Sequence, residues 1–383
     1  MSRPLRGTVK LPGSKSESNR ALMIAAYGGF PLEVENLSEA HDTVLLKTLL
    51  EQSVGSTAGA YSTTVDCEDA GTVARFLMTY LSGKPGEWLL TGTPRLCERP
   101  MAPLVDSLRQ LGAVIMGDAL PLRIEGHPIK GGAVTLDASQ SSQFASSLLL
   151  AAPTWEHGLQ LTLTGCPVSM PYLEMTIRMM EHYGIQVARN GHAIAVPHQA
   201  YQPRPFTVSA DWTAASYWYE MMALSDGGEL LLKGLKPGSL QGDAVVAKWF
   251  EPLGVATAFE PDGARLSKTS AHPRSLTFDF TDHPDLFPAV CATCHALGVD
   301  AEFQGVSTLS TKESDRLHAL KTELSRIAPN TAASALPVFR TYGDHRIAMS
   351  LAALWPKYGR ITVDDPSVVD KSYPGFWKDL ELL

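Results

Sequence analysis

The sequence predicts a mixed α/β protein built from repeated strand–helix units. Short apolar strands that end in glycine recur at intervals of roughly 70 residues, and the closing glycines are Gly92, Gly165, Gly234 and Gly305. An apolar run of helical character and a glycine-containing turn precede each strand. Two weaker copies flank the four clear ones, so we expect six units, the first of them truncated.

The elements of these units can be followed along the chain. The strands that carry the repeat are predicted at residues 32–36, 89–92, 161–165, 230–234, 301–305 and 361–365. The helices that precede them are predicted to begin near Ala21, Phe76, Phe144, Tyr217, Leu286 and Ile347. A second helix is predicted after most strands, at residues 103–111, 172–183, 244–253 and 313–327. In the last of these, Leu317, Leu320 and Leu324 recur on one helical face.

Composition limits the classes of function. The 383 residues contain 44% hydrophobic and 19% charged residues, which is an ordinary globular balance. The net charge of −8 disfavours a general nucleic-acid binder, because that class shows a basic surplus. No apolar run approaches the roughly 20 residues of a membrane span, and the first residues do not resemble a signal peptide. We therefore expect a cytoplasmic protein that binds neither nucleic acid nor membranes.

The five cysteines are sparse and are expected to be reduced thiols. Cys291, Cys294 and His295 fit the spacing of a haem-attachment signature. They lie inside an apolar helical run, however, where residues three apart share a face. Thiols packed in a helix are therefore favoured over a haem or metal site, and we expect no metal.

Cationic and hydroxyl side chains collect where the first helix of each unit begins. A helix start offers free backbone N–H groups and the positive end of the helix dipole, so it binds anions. The cations at such starts or close to them are Lys15, Arg20, Arg99, Lys312, Arg316, Arg346 and Lys371. A convergent cationic pocket in an acidic protein predicts a small anionic substrate. Taken singly, each of these starts is equally well explained as a capped helix with solvated charges.

Four of these starts carry further expectations. Ser14 with Glu17, and Ser310 with Glu313, fit capping boxes. Lys312 and Arg316 would then share a helical face, which is unfavourable unless an anion or a carboxylate lies there. Ser169 is expected to cap another helix. Asp285 could be either an N-cap or a general base.

With these residues in view, the chain resembles the family of 5-enolpyruvylshikimate-3-phosphate synthases. The motifs that carry the resemblance span nearly the whole chain in the order of that family. They lie at residues 11–20, 70–75, 98–100, 141–143, 241–243, 312–316, 344–346 and 371–374.

The resemblance implies a two-domain inside-out α/β barrel of six βαβαββ repeats, three in each domain. The N-terminal domain would comprise residues 12–205, and the C-terminal domain residues 1–11 and 206–383, with the active site in the cleft between them. The implied reaction transfers the enolpyruvyl group of phosphoenolpyruvate to the 5-hydroxyl of shikimate 3-phosphate. It needs no metal or organic cofactor, and the family suggests a monomer that is a target of glyphosate.

The resemblance also implies roles for individual residues. Catalytic roles match Asp285 (base at the 5-hydroxyl), Glu313 (proton at C3) and Lys15. Phosphoenolpyruvate contacts match Lys15, Gly71, Arg99, Gln143, Arg316, Arg346 and Lys371. Shikimate 3-phosphate contacts match Ser16, Arg20, Ser141, Ser142, Gln143, Ser169, Tyr172, Asp285 and Lys312.

The sequence departs from the family pattern at Asp69, Phe76, Met170 and Thr308 and in its short first repeat. Asp69 and Phe76 leave glyphosate sensitivity open. The departures keep open a catalytically impaired paralogue that only binds shikimate 3-phosphate.

A second alternative is an enolpyruvyl transferase that acts on a UDP-amino sugar. Cys97 lies near the position of that family's loop cysteine, but Glu98, Arg99 and Pro100 follow the shikimate pattern. A dinucleotide oxidoreductase is disfavoured, since no G-x-G-x-x-G follows a strand.

Overall fold

Strands and helices alternate along the chain. A computed structural model describes residues 4–55, 63–327 and 336–382. The strands are β1 (Leu5–Lys10), β2 (Val34–Glu35), β3 (Thr63–Asp66), β4 (Gly86–Thr91), β5 (Val114–Met116), β6 (Leu122–Gly126), β7 (Gly132–Asp137), β8 (Leu159–Thr164), β9 (Ala188–Asn190), β10 (Ala193–Val196), β11 (Phe206–Thr207), β12 (Gly228–Lys233), β13 (Val255–Glu260), β14 (Gly263–Lys268), β15 (Ser275–Asp279), β16 (Asp300–Gln304), β17 (Val338–Phe339) and β18 (Thr362–Val363).

The α-helices are α1 (Lys15–Gly28), α2 (His41–Gly55), α3 (Gly71–Ser82), α4 (Pro94–Cys97), α5 (Ala102–Gln110), α6 (Ser142–Ala151), α7 (Met170–His182), α8 (Trp212–Leu224), α9 (Val246–Phe250), α10 (Phe287–Leu297), α11 (Arg316–Leu324), α12 (His345–Ala352), α13 (Trp355–Tyr358) and α14 (Phe376–Glu381). Short 3₁₀ helices lie at Ala152–Thr154, Gly242–Val245, Pro284–Leu286, Ser307–Thr311 and Pro366–Lys371.

The strands that carry the predicted repeat are confirmed as β2, β4, β8, β12, β16 and β18, and α1, α3, α6, α8, α10 and α12 precede them. The second helices are confirmed as α5 and α7, whereas the third is shorter, since α9 follows a 3₁₀ helix, and the fourth, α11, begins later than expected.

The chain divides into two units. Unit 1 comprises Met1–Lys15, Ser38–His41 and Ser209–Leu383, and unit 2 comprises Ser16–Leu37 and Asp42–Val208. The predicted domain boundaries at residues 11 and 205 stay a prediction.

Three four-stranded sheets share one pattern of pairing. Unit 1 contains the order β1-β12-β14-β13, and unit 2 contains β3-β4-β6-β5 and β7-β8-β10-β9. In each sheet the first two strands are parallel and the remaining pairs are antiparallel. Parallel neighbours need a crossover connection, and α3 and α6 supply it in unit 2.

Three shorter parallel pairs complete the described strands. β15 pairs with β16 and β17 with β18 in unit 1, and β11 pairs with β2 in unit 2. The N-terminal strand β1 therefore joins the sheet of β12 in unit 1, although α1 and β2, which follow β1 along the chain, belong mainly to unit 2. Four residues separate the end of β1 at Lys10 from the start of α1 at Lys15.

The core of unit 1 forms around α8. All thirteen residues of this helix are buried, as expected for a helix surrounded by protein. The helix packs against α10, and α10 packs against α12. In unit 2, α6 packs against both α3 and α7. The first helices of the repeats are therefore interior helices, so the residues at their starts are placed by the core.

α11 begins at Arg316, three residues later than the sequence predicts. Ser310 and Glu313 do not form a capping box, because residues 307–311 form a 3₁₀ helix and α11 begins only at Arg316. Asp315 is the N-cap residue, and its side chain accepts a hydrogen bond from the His318 amide. Lys312 lies before the helix in an extended conformation, so it does not share a helical face with Arg316.

Cys291 and Cys294 lie on α10, and Cys294 is buried. Burial raises the pKa of both thiols to about 12, so they are protonated at neutral pH. Among the described residues, no group of three or more histidine, cysteine or acidic side chains could hold a metal ion. Within the same part of the chain, no helix is long and apolar enough to cross a membrane.

Glu220 is an acidic residue inside the core of unit 1. It lies on α8 with 0% of its surface exposed, and neither carboxyl oxygen has a hydrogen-bond partner among the described residues. Burial raises its pKa well above the ordinary 4.5. The folded protein therefore holds a neutral carboxyl where the unfolded chain carries an ionised one, and folding stability falls as pH rises above about 4.5.

We predict that Glu220→Leu raises the free energy of unfolding at pH 7 by about 1–3 kcal/mol, since it removes an unsatisfied buried polar group. The gain should be smaller at pH 4.5 than at pH 7, because the wild-type penalty grows as pH rises towards the folded-state pKa. Urea denaturation at both pH values measures this. Glu220→Gln is the control, because it removes the titration and keeps a polar group. A gain for Glu220→Leu that does not change with pH would contradict the account.

Candidate functional site

The candidate residues of unit 1 gather around the guanidinium of Arg316. Its Nε donates to Oδ2 of Asp344 over 2.9 Å, one Nη donates to Oδ1 of Asp285 over 3.0 Å, and the other donates to Oε2 of Glu313 over 2.8 Å. Arg346 donates to the second oxygen of Asp285 over 2.8 Å. We call Asp285, Glu313, Arg316, Asp344 and Arg346 the Arg316 cluster.

Helix starts place these side chains. Arg316 is the first residue of α11, and Arg346 is the second residue of α12. Asp344 caps α12: its Oδ1 accepts from the Arg346 amide over 2.9 Å, and its Oδ2 accepts from the Ser314 hydroxyl over 3.0 Å. One buried carboxylate therefore fixes the starts of both helices and the orientation of Arg316.

Asp285 is not an N-cap. It lies within the 3₁₀ turn Pro284–Leu286, and its carboxylate is directed to the two arginines. Burial alone would raise the pKa of Asp285, but the charges of Arg346, Arg316 and Lys312 outweigh burial and hold that pKa well below 3.8. Asp285 is therefore ionised, and both of its oxygens are in use.

Two further buried residues of unit 1, Lys371 and His345, lie on or next to α12. Lys371 is buried at the end of the 3₁₀ helix that packs against α12. His345 is buried, and neither ring nitrogen has a hydrogen-bond partner among the described residues. Burial, then Arg346 and Lys15, lowers the pKa of His345 well below 6.5, so its ring is neutral.

In unit 2, the guanidinium groups of two arginines lie against the start of α3. A Cβ on Gly71 would lie 2.6 Å from an Nη of Arg99 and 2.9 Å from an Nη of Arg75. The absent side chain therefore lets both guanidinium groups lie against the helix start. Arg75 donates to Oε1 of Gln143 over 2.6 Å, and Gln143 donates to Oγ1 of Thr72 over 2.9 Å.

Three serines begin the neighbouring helices. Ser141 is the N-cap of α6, since its hydroxyl accepts from the Gln143 amide, and Ser142 is the first residue of that helix. Ser169 stands at the N-cap position of α7 but makes no capping hydrogen bond with its side chain, which corrects the expectation. Its φ of 56° is in the left-handed region, where non-glycine residues are strained and often functional.

Arg20 is buried, with 2% of its surface exposed, and its guanidinium is hydrogen-bonded to four other residues. Its guanidinium donates to the hydroxyls of Thr176 and Ser146 and to the carbonyls of Ser16 and Tyr172, over 2.7 to 3.3 Å. Burial lowers its pKa from 12.5 to about 10. Arg20 therefore ties α1 to α6 and α7, and its role in binding a substrate stays a prediction.

The four departures from the family pattern occupy different environments. Phe76 is buried, and the guanidinium carbon of Arg20 lies 5.7 Å from its ring centre, so it supports a candidate residue. Asp69 lies half-buried in the turn before α3, Met170 is the first residue of α7, and Thr308 is buried in a 3₁₀ helix of unit 1.

Sequence reasoning assigned no role to Asp344 or Arg75, although both lie within the motifs. Asp344 carried the signal of an N-cap residue before a helix, which predicts the cap but not its bond to Arg316. Arg75 gave no signal that distinguishes it from an ordinary helix residue.

Comparisons with known proteins cover nearly the whole chain. The family model described as EPSP synthase (3-phosphoshikimate 1-carboxyvinyltransferase) matches residues 1–380. A 3-phosphoshikimate 1-carboxyvinyltransferase of Bacteroides fragilis is 41% identical over 98% of this chain and 95% of its own length. One from Syntrophobacter fumaroxidans is 33% identical over 99% and 97%. An EPSP synthase structure from Acinetobacter baumannii superposes with a TM-score of 0.75 at 20% identity, covering 100% of this chain and 96% of that one, and this likeness shows the mixed α/β fold.

We predict that Arg316→Met lowers the free energy of unfolding at pH 7 by about 3–5 kcal/mol, because it leaves buried carboxylates without their cation. The folded-state pKa of Asp285 is depressed, so its contribution is present above about pH 3.8 and is lost as pH falls further. The deficit should therefore shrink in acid.

Urea denaturation at pH 7 and at about pH 3 measures both effects. The control is Arg178→Met, which removes an exposed pair with Glu174 and should cost under about 1 kcal/mol. Equal losses in the two variants would contradict the central position of Arg316.

Proposed function

The chain belongs to the EPSP synthase (3-phosphoshikimate 1-carboxyvinyltransferase) family, and we propose that it transfers the enolpyruvyl group of phosphoenolpyruvate to the 5-hydroxyl of shikimate 3-phosphate. The reaction forms a bond from the 5-oxygen to C2 of phosphoenolpyruvate while C3 gains a proton. The intermediate then loses the C3 proton and phosphate to leave the enol ether. This is a step in the biosynthesis of aromatic amino acids.

The observation that carries the proposal is that one guanidinium, that of Arg316, holds both candidate acid–base carboxylates, Asp285 and Glu313. An addition followed by an elimination needs one group that accepts the hydroxyl proton and one that handles the C3 proton. A protein that only binds shikimate 3-phosphate would have no use for this pair. The curated relatives at 41% and 33% identity are named for the shikimate reaction, which disfavours the UDP-amino sugar.

Anion binding is assigned to the arginines and lysines. The phosphate and carboxylate of phosphoenolpyruvate would be bound by Lys15, Gly71, Arg99, Gln143, Arg316, Arg346 and Lys371. The planar guanidinium fork suits both groups. Shikimate 3-phosphate would be bound by Ser16, Arg20, Ser141, Ser142, Gln143, Ser169, Tyr172, Asp285 and Lys312.

Asp285 as it stands is too weak a base, because Arg316 and Arg346 hold its pKa low. An anionic substrate that binds to these arginines would draw them away from Asp285. Its pKa would then rise towards the ordinary value or beyond, since burial remains. We infer that binding of phosphoenolpyruvate activates Asp285 for the 5-hydroxyl.

The finer organisation belongs to the same proposal. We propose six βαβαββ repeats in an inside-out α/β barrel, divided at residues 12–205 and 1–11 with 206–383, and substrates bound between the domains. The shared strand order of the three four-stranded sheets supports the repeats. A cytoplasmic monomer that needs neither cofactor nor metal stays a prediction.

The test of function is phosphate release from phosphoenolpyruvate in the presence of shikimate 3-phosphate, with each substrate alone as a blank. Release only with both substrates supports the transferase. Binding of shikimate 3-phosphate without release would identify a binding protein instead.

Asp285→Asn should lower kcat by about 10²- to 10⁴-fold, the range of general base catalysis, with little change in the KM for shikimate 3-phosphate. The side chain keeps its shape and loses its capacity to take a proton. Steady-state phosphate release measures the change. Asp300→Asn, an exposed residue of the same unit, is the matched control and should retain wild-type turnover. A variant within twofold of wild type would remove Asp285 from the mechanism.

Gly71→Ala should raise the KM for phosphoenolpyruvate on the order of tenfold, equivalent to about 1.4 kcal/mol, because the new Cβ displaces Arg99. The change in kcat should be smaller. Gly83→Ala at the other end of α3 is the control, since its Cβ would approach no heavy atom closer than 3.7 Å. Equal KM values for the two variants would show that Arg99 does not bind this substrate.

A further inference from the structure

The motif Gln241-Gly242-Asp243 takes no part in the proposed chemistry, yet both of its polar side chains are buried. Gln241 is 1% exposed and Asp243 is 0% exposed, at the start of the 3₁₀ helix Gly242–Val245 in unit 1. Buried polar groups are costly unless they are hydrogen-bonded. The hydrogen-bond partners of Gln241 and Asp243 therefore indicate what role these two side chains have.

The hydroxyl of Thr213, at the start of α8, is the centre of their contacts. It donates to Oδ2 of Asp243 over 2.5 Å and accepts from the amide nitrogen of Gln241 over 2.8 Å. The same amide of Gln241 donates to Oδ1 of Asp211 over 3.0 Å, and its oxygen accepts from the Trp212 amide over 2.9 Å. We call Asp211, Thr213, Gln241 and Asp243 the Thr213 network.

At one end, the network holds the segment that carries Lys15. Oδ2 of Asp211 accepts from the backbone amide of Lys15 over 3.3 Å. The Asp211 amide donates to the Pro12 carbonyl over 2.9 Å, and the Ser14 amide donates to the Ser209 carbonyl over 2.8 Å. The chain before α1 is therefore tied to the chain before α8.

At the other end, the network reaches the turn that carries Asp285. Nδ1 of His283 lies 3.7 Å from Oδ1 of Asp243, which is too far for a hydrogen bond. The link is made by packing: the His283 ring lies edge-on against Trp249 of α9, the helix that directly follows the 3₁₀ helix Gly242–Val245. His283 is the N-cap residue of the 3₁₀ turn Pro284–Leu286, and its carbonyl accepts from the Leu286 amide over 3.1 Å. The position of this turn determines where the Asp285 carboxylate lies.

We propose that Thr213, Gln241 and Asp243 are positioning residues that hold the Lys15 segment and the Asp285 turn in a fixed relation at the start of α8. The inference rests on the proposed function, in which Lys15 and Asp285 act on the same reaction. A displacement of about 1 Å between reacting groups can lower a rate about 100-fold. A rigid link between the two segments would therefore keep the reaction rate high. Apolar residues of equal volume would fill this space without the desolvation cost of two carboxylates, which argues against a role in packing alone.

The test compares three threonine variants. Thr213→Val removes the central hydroxyl and keeps the shape, whereas Thr213→Ser restores a hydroxyl. Thr293→Val is the matched control, because Thr293 is a buried threonine of the same unit whose hydroxyl donates to the Ala289 carbonyl of its own helix. We expect Thr213→Val to lower kcat about 10- to 100-fold while each KM changes less than threefold. Thr213→Ser and Thr293→Val should stay within about threefold of wild type in kcat.

Amide hydrogen exchange gives a readout that does not depend on turnover. In Thr213→Val, peptides that cover residues 12–16 and 283–287 should exchange at least about tenfold faster, and in Thr293→Val they should not. Unchanged exchange in these peptides, or a kcat for Thr213→Val equal to that of Thr293→Val, would overturn the proposal. If the wild type fails to turn over both substrates, the proposed function fails, and the exchange measurement still decides whether the network holds the two segments.

Discussion

The guanidinium of Arg316 binds carboxylates from three stretches of the chain, and the other features of unit 1 are arranged around it. A cation that is 1% exposed is tolerable only when its N–H groups are hydrogen-bonded and its charge is compensated. Asp344, Asp285 and Glu313 meet both needs. Because Asp344 also caps α12, the starts of α11 and α12 and the turn of Asp285 cannot move independently. Stability and the placement of the candidate acid–base groups therefore depend on the same contacts.

Unit 2 places its cations in a different way. The hydrogen bonds of Arg20 go to uncharged hydroxyl and carbonyl oxygens, and one Nη of Arg75 is bonded to the amide oxygen of Gln143. Neutral acceptors fix the direction of a guanidinium and leave its positive charge uncompensated by those bonds. Unit 1 instead holds its arginines by carboxylates, and an anionic substrate must compete with these.

Local signals account for the parts of the structure that the sequence predicts. A short apolar strand that ends in glycine after an apolar helix is a pattern within some 25 residues, and it located β4, β8, β12 and β16. The start of α11 was predicted wrongly because Ser310 and Asp315 are both good N-cap residues, and local propensity cannot choose between them. The choice is made by Arg316, whose bonds to Asp285 and Asp344 fix the first turn at residue 316.

Local patterns also cannot predict which residues of the candidate site contact each other. The family motifs indicated which residues belong to the site, but not which of them bind each other. Arg75 and Gln143 are 68 residues apart, and Thr213 and Asp243 are 30 apart, so neither pair has a signature in sequence spacing. Such pairs form only in the folded chain.

The pKa of Asp285 is coupled to the binding of an anion by Arg316 and Arg346. Both of its oxygens are bound by Arg316 and Arg346, which stabilise the anion and make it a weak base. A ligand that takes over these arginines weakens that stabilisation, and thermodynamic linkage requires the reverse effect to be equal: the ionised carboxylate must weaken the binding of the anion by the same factor. In the proposed mechanism, part of the binding energy of the substrate would be used to free Asp285. A stronger base and a tighter anion site cannot both be built from these two arginines, and the observed geometry favours a base that becomes active only when the anion is in place.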